Sequence, residues 1–308
     1  MSRKFLVSAP ASTSNLGPGF DTLGLAVELG LELHFELDHP AGFGVTLVGE
    51  GHDILPSDER NGVLKVAREI AGAAVDRTRW RITSNIPVAR GLGSSAAARA
   101  AGLAAGYLLR DGRLPPRHAV FQRVARDENH PDNAAATVFG GFRVSGRDRM
   151  GNWETWPGII ADWQVRLLVV VPDVPVSTQQ ARSLLPQTYA RAAAVRNLQC
   201  LSTLLSGLAR GDWDAVRRGC RDQLHEPYRL PLVPGLAETL DHLRASPATG
   251  GAYLSGAGPT LMAFLLDPAR AQDVGQDCVA LLANHGTGAT TKVIGLQSSG
   301  LLGEELVP

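Results

Sequence analysis

Two glycines and two serines in Pro87–Ala97, PVARGLGSSAA, run straight into the alanine-rich stretch Ala96–Leu109. A helix that begins in such a loop offers unpaired backbone N–H groups, and the positive end of its dipole, to an anion. The same residues also suit an ordinary glycine turn with a serine N-cap, so the loop alone does not decide between a phosphate cradle and a structural turn. A second cluster, Glu128-Asn129-His130-Pro131-Asp132-Asn133, gathers carboxylates, an imidazole and amides. Such a group can bind a divalent cation or polarise a hydroxyl, and it can equally be a turn that caps the next helix. Asn15 and Asp21 flank the Gly-Pro-Gly turn of SNLGPGFD, where Asx side chains commonly bond nearby backbone. Further on, Thr178 and Arg182 stand at i, i+4 in STQQAR; His225, Glu226 and Arg229 lie in the proline-punctuated HEPYRLPLVPG, where His225 is expected to be solvated.

The whole chain restricts what these groups can act on. Thirty basic and thirty acidic residues give a net charge of zero, which argues against nucleic acid or an anionic membrane as the main partner and favours a small molecule. At 308 residues, with a prior of about 150 per domain, two lobes and a cleft are expected. MSRKFLVSAPAS is too short in apolar residues for a signal segment, and no run approaches the ~18 needed for a membrane span, so a cytoplasmic location is expected. Cys200, Cys220 and Cys278 are scattered without a C-x-x-C pair, against disulfides and zinc. Lysine occurs only at positions 4, 65 and 292, never beside a glycine-rich segment, which excludes a Walker loop. A phosphate site must then use backbone amides, serines, arginines and a metal.

The elements that position these residues follow from patterning. Strands are expected at Lys4–Ala9, Leu23–Leu37, Phe43–Val48, Trp80–Thr83, Val165–Val171 and Thr290–Leu296. An irregular loop is expected before Leu23. Helical spacing covers Glu59–Val75, Ala96–Leu109, Ala119–Asp127, Tyr189–Ala209, Trp213–Leu224 and Pro268–Asn284, with a short helix N-capped by Ser177 or Thr178. Gly102 and Gly106 are read as close packing against a sheet, Gly251–Leu266 as a hairpin with a glycine-rich turn, and the polar, Trp-rich Gly146–Asp162 as the approach to a domain boundary.

GLGSSA also fits the dinucleotide fingerprint, with Asp111 about 20 residues on. Its context does not fit, because Pro87 and Arg90 interrupt any strand before Gly91 and Asp111 ends a helix. The segments PASTSNLGPGFDTLGLA, PVARGLGSSAAA and YLSGAGPTLMAF together resemble the three signature motifs of the GHMP small-molecule kinases. SNLGPGFD, HPDN at His130–Asn133 and STQQAR at Ser177–Arg182 are similar to the homoserine kinase branch of that superfamily. One departure is ENHPDNAAA at Glu128–Ala136, where the branch pattern reads E-G-H-P-D-N-V-A-P.

The resemblance implies an α+β fold of two domains, residues 1–160 like ribosomal protein S5 domain 2 and residues 161–308 ferredoxin-like, with the site between them. It implies an enzyme that transfers the γ-phosphate of ATP to the hydroxyl of L-homoserine, with Mg²⁺. ATP would lie on Pro87, Val88, Ala89, Arg90, Gly91, Leu92, Gly93, Ser94, Ser95, Ala96 and Ala97, and Ser95 and Glu128 would hold the metal. Asn15, Asp21, His130, Asn133, Thr178, Arg182 and Arg229 would bind the amino acid, with His130, Asp132 and Asn133 nearest the chemistry. The chemistry of the residue types agrees: a carboxylate at Asp21 suits an ammonium, and Arg182 and Arg229 suit a carboxylate. A homodimer is the assembly considered, although no residues specify its interface. The alternatives are another alcohol as acceptor, or a regulator that binds ATP or an amino acid without catalysis.

Overall fold

A computed structural model of the protein describes residues 2–306. The first half runs β1 (Arg3–Asn15), β2 (Gly19–Leu37), β3 (Gly44–Gly49), α1 (Gly62–Ala71), β4 (Thr78–Ser84), α2 (Ser94–Asp111), α3 (Arg117–Glu128), α4 (Asp132–Phe139), β5 (Phe142–Arg147) and β6 (Trp153–Pro157). The second continues with β7 (Arg166–Pro172), α5 (Thr178–Ser183), α6 (Arg191–Arg210), α7 (Trp213–Gly219), α8 (Glu226–Arg229), α9 (Leu236–Ala245), β8 (Thr249–Leu254), β9 (Leu261–Leu265), α10 (Ala271–Asn284), β10 (Ala289–Ile294) and β11 (Leu302–Leu306).

Two sheets organise the chain. The first has the path β11-β1-β2-β4-β3, with β5 on β2 and β6 on β5, and β3 and β4 pair in parallel across the α1 crossover. The second is antiparallel in the order β10-β7-β9-β8, a β-α-β-β-α-β arrangement of the ferredoxin-like kind. The expected division at residue 160 separates the sheets except at the last strand, because β11 returns to pair with β1. The apolar run of β7 is explained by burial on both faces: Leu167, Val169 and Val171 join the core of the first half, while Leu168 and Val170 face α9 and α10.

Several local expectations change. The segment before Leu23 is not an irregular loop but two strands joined by a three-residue turn, since β2 already starts at Gly19 and Asn15 pairs with Gly19. Gly102 and Gly106 pack on α1 rather than on a sheet: a Cβ would stand 2.7 Å from Val63 O at the first and 2.8 Å from Ala67 O at the second. The Trp-rich segment forms a hairpin with β5, in which Arg147 lies 3.5 Å over the Trp153 ring. EPYR is helical, and His225 at its N-cap is fully buried rather than solvated.

Candidate active site

The loop before α2 is shaped by glycines held in the left-handed region, where a side chain is strained. Gly91 and Gly93 have φ of 76° and 69°, and a Cβ there would stand 2.2 Å from Ser255 O and 2.1 Å from Ser12 Oγ. Gly93 is itself the N-cap, and no side chain caps the helix. Ser94 and Ser95 therefore occupy its first turn instead of capping it, and their N–H groups have no intrahelical acceptor. Such an uncapped start suits an anion, with only Ala97 N–H turning back to Gly93 O at 3.0 Å. β4 ends at Ser84, well before Gly91, and Asp111 closes α2 beside Arg110, so the dinucleotide alternative lacks both its strand and its acid.

The uncapped turn opens into a cleft of about 650 Å³ lined by the first sheet, α1 and α2 on one side and by α5, Arg229 and the β8–β9 turn on the other. It is lined by every residue expected of the site except Pro87 and Ala97, which are buried beside it. One end is apolar, with Leu47, Val63, Val66, Ile82 and Ile86. Beside Ser95 the polar centre begins: Ser95 Oγ donates to Glu128 Oε1 at 2.5 Å, and Arg99 Nε donates to the same oxygen at 2.7 Å. The expected glycine after Glu128 is replaced by Asn129, which holds φ of 62° as the C-cap of α3. Asparagine is among the side chains best tolerated there, so the turn that presents Glu128 survives the substitution.

His130 and Asp132 are buried together. His130 Nδ1–H donates to Asp132 Oδ1 at 2.7 Å, and Asn133 N–H donates to the same oxygen at 2.7 Å. Burial pulls the His130 pKa down, but the charge and hydrogen bond of Asp132 outweigh it and leave the ring above its ordinary value. Burial raises Asp132, and His130 more than offsets this, so the carboxylate stays below its usual range. Asn133 is fixed from β1, accepting from Ser12 Oγ at 2.9 Å and donating to Ser14 Oγ at 3.1 Å.

On the second-half side, Arg182 donates twice to Asp21, at 2.6 and 3.0 Å, in a fork geometry. Arg229 is buried, donates to Gly256 O at 3.0 Å, and is held down to about 10, first by burial and then by the nearby Arg182. Thr178 lies on the cleft with Arg182 through the one-turn spacing of α5, whose N-cap is Ser177 accepting from Gln180 N–H.

Two expected contacts are otherwise engaged. Arg90 donates to Pro172 O, Asp173 O and Val88 O, so its guanidinium ties the loop to the end of β7 instead of facing a phosphate. Asn15 donates to Gly256 O and accepts from Asp21 N–H, an Asx-type brace for the turn. The pattern also left structural partners unread. His225 Nε2–H donates to Gly17 O at 2.9 Å and Asn197 Nδ2 to Pro18 O at 2.8 Å, anchoring the SNLGPGFD turn from the second half. Asn197 shares the buried stripe of α6 with Cys200, Leu204 and Leu208, and a polar residue in an apolar stripe is the signal that marks it.

The family models for the GHMP kinases N terminal domain and the GHMP kinases C terminal match residues 61–141 and 204–283. A homoserine kinase of Deinococcus radiodurans is 41% identical over 265 residues, covering 85% of this chain and 84% of the relative. The chain belongs to the GHMP kinase family. This GHMP kinase is also 36% identical to a homoserine kinase of Moorella thermoacetica, over 93% of the chain and 95% of the relative. Among solved structures, homoserine kinase from Cytophaga hutchinsonii superposes with a TM-score of 0.81 at 26% identity, covering 97% of each chain. L. major mevalonate kinase, at 16% identity over 96% of each chain and a TM-score of 0.68, shares the fold. No described helix of this GHMP kinase is long and apolar enough to cross a membrane.

Proposed function

We propose that the protein transfers the γ-phosphate of ATP to the hydroxyl of L-homoserine. The observation that carries this reading is one cleft holding an uncapped helix start, a carboxylate at Asp21 and two guanidiniums, Arg182 and Arg229. A small amino acid needs one anion for its ammonium and a forked cation for its carboxylate, whereas a neutral sugar or alcohol needs neither. The relatives named homoserine kinase support the same substrate.

In this reading the apolar end takes the base of ATP, and the N–H groups of Ser94 and Ser95 take its phosphates. Ser95 and Glu128 offer hard oxygen donors side by side, a set that fits Mg²⁺. The metal would neutralise phosphate charge. His130, tethered to Asp132 through Nδ1, presents Nε2 toward the acceptor hydroxyl, and Asn133 holds its orientation through Ser12 and Ser14. Asp132 itself is occupied. In-line positioning and charge neutralisation dominate phosphoryl transfer, so a strong base is not required.

An ADP-release assay with L-homoserine, L-serine, L-threonine, mevalonate and galactose tests this. L-homoserine is expected to be turned over with the highest kcat/KM. Preference for mevalonate or galactose would refute the substrate assignment, and turnover of none would refute the enzyme reading in favour of a regulator.

A further inference from the structure

The ring of Phe20, next to Asp21, touches both cations of the clamp. Arg229 Cζ lies 5.1 Å and Arg182 Cζ 5.6 Å from its centroid, and the buried His225 ring stacks on it at 5.3 Å and 26°. His225 is fixed in turn by its bond to Gly17 O, in the turn that leads into Phe20 on β2. The ring therefore has a defined place relative to the turn, and the two guanidiniums have a defined place relative to the ring.

Two like charges in one pocket repel each other, and here, with Asp132 close by, the carboxylate paired directly with Arg182 is that of Asp21. Without a ligand, that carboxylate holds Arg182 by both terminal nitrogens, while the buried Nε of Arg182 has no hydrogen-bond partner. An incoming ammonium must draw Asp21 away from Arg182 before the substrate carboxylate can replace it. During that exchange the ring face is the contact Arg182 keeps, because an aromatic quadrupole attracts a cation without occupying its N–H donors.

We propose that Phe20 is a positioning residue for amino-acid recognition, the shared aromatic face that keeps Arg182 and Arg229 convergent while Asp21 passes from Arg182 to the ammonium of the substrate. This deepens, and rests on, the reading of the cleft as an amino-acid kinase site. Phe20 has no role in the phosphate loop, so its effect falls on one substrate.

Steady-state kinetics of the full chain with MgATP and L-homoserine test the proposal. Phe20→Leu is expected to raise KM for L-homoserine by roughly 10- to 30-fold and leave KM for ATP within about twofold, while Phe20→Tyr and Phe20→Trp stay within about threefold of wild type. Pentafluorophenylalanine at position 20 keeps the ring shape and reverses its quadrupole; it is expected to behave like leucine, and it carries the test if the leucine variant does not fold. A fluorinated variant with wild-type KM, or a leucine variant that raises KM for ATP equally, overturns the proposal. Wild-type protein without L-homoserine turnover overturns both readings and is recognised before any variant is compared.

Discussion

His225→Gln should make folding less sensitive to acid. Burial, the main cause, holds the imidazole down to about 4, against an ordinary value of 6.5, with Glu226 pulling the other way. Between those two values the unfolded chain binds a proton that the folded chain refuses, so stability falls as pH drops through 6.5 and the loss is complete below about 4. Taking the protein from pH 7.5 to 5.0 then costs about 2 kcal/mol from this one group, at 1.36 kcal/mol per pKa unit. Asp222, raised by burial, acts in the opposite direction, but it is retained in both proteins and cancels in the comparison. Glutamine can still donate an N–H to Gly17 O and has no proton to gain. Urea unfolding of wild type and His225→Gln at both pH values measures the effect: wild type should lose about 2 kcal/mol more than the variant. Equal losses would refute the assignment of His225 as a buried neutral imidazole.

Gly93→Ala would force a side chain into the left-handed region against Ser12 Oγ, at a cost of about 1 kcal/mol in backbone strain before the clash is counted. The expected result is a rise in KM for ATP of about tenfold or more with a smaller change for L-homoserine, read by steady-state kinetics. Glu128→Gln keeps an acceptor for Ser95 and Arg99 but removes the charge; the half-saturating Mg²⁺ concentration should rise by about tenfold, and a metal titration showing no shift would remove Glu128 from the metal site.

The segments of the candidate site were legible because their chemistry is local. Glycines and serines before an alanine run mark a helix start at the right place, although only the structure shows it uncapped, and Ser177 or Thr178 offers a cap that the structure assigns to Ser177. What stayed hidden depends on distant partners. Nothing near His225 in the chain reveals that Gly17, 208 residues away, will accept its hydrogen bond and hold the ring out of water. Arg90 reads as a phosphate ligand by its place in the loop and becomes a tether only because β7 ends with open carbonyls beside it. Gly102 and Gly106 correctly signal close approach, but spacing cannot say whether the neighbour is a sheet or, as found, the backbone of α1.

The return of β11 to the first sheet bears on how the chain is made. Residues 302–306 cover the edge of β1, with Arg3 and Glu305 paired across it at 2.7 Å. On a ribosome, β1 is made long before β11, so that edge of the first sheet stays unpaired while the whole second sheet is being made. That edge closes only once β11 is available, and the nascent chain, rather than the finished enzyme, is the form most exposed to edge-to-edge aggregation.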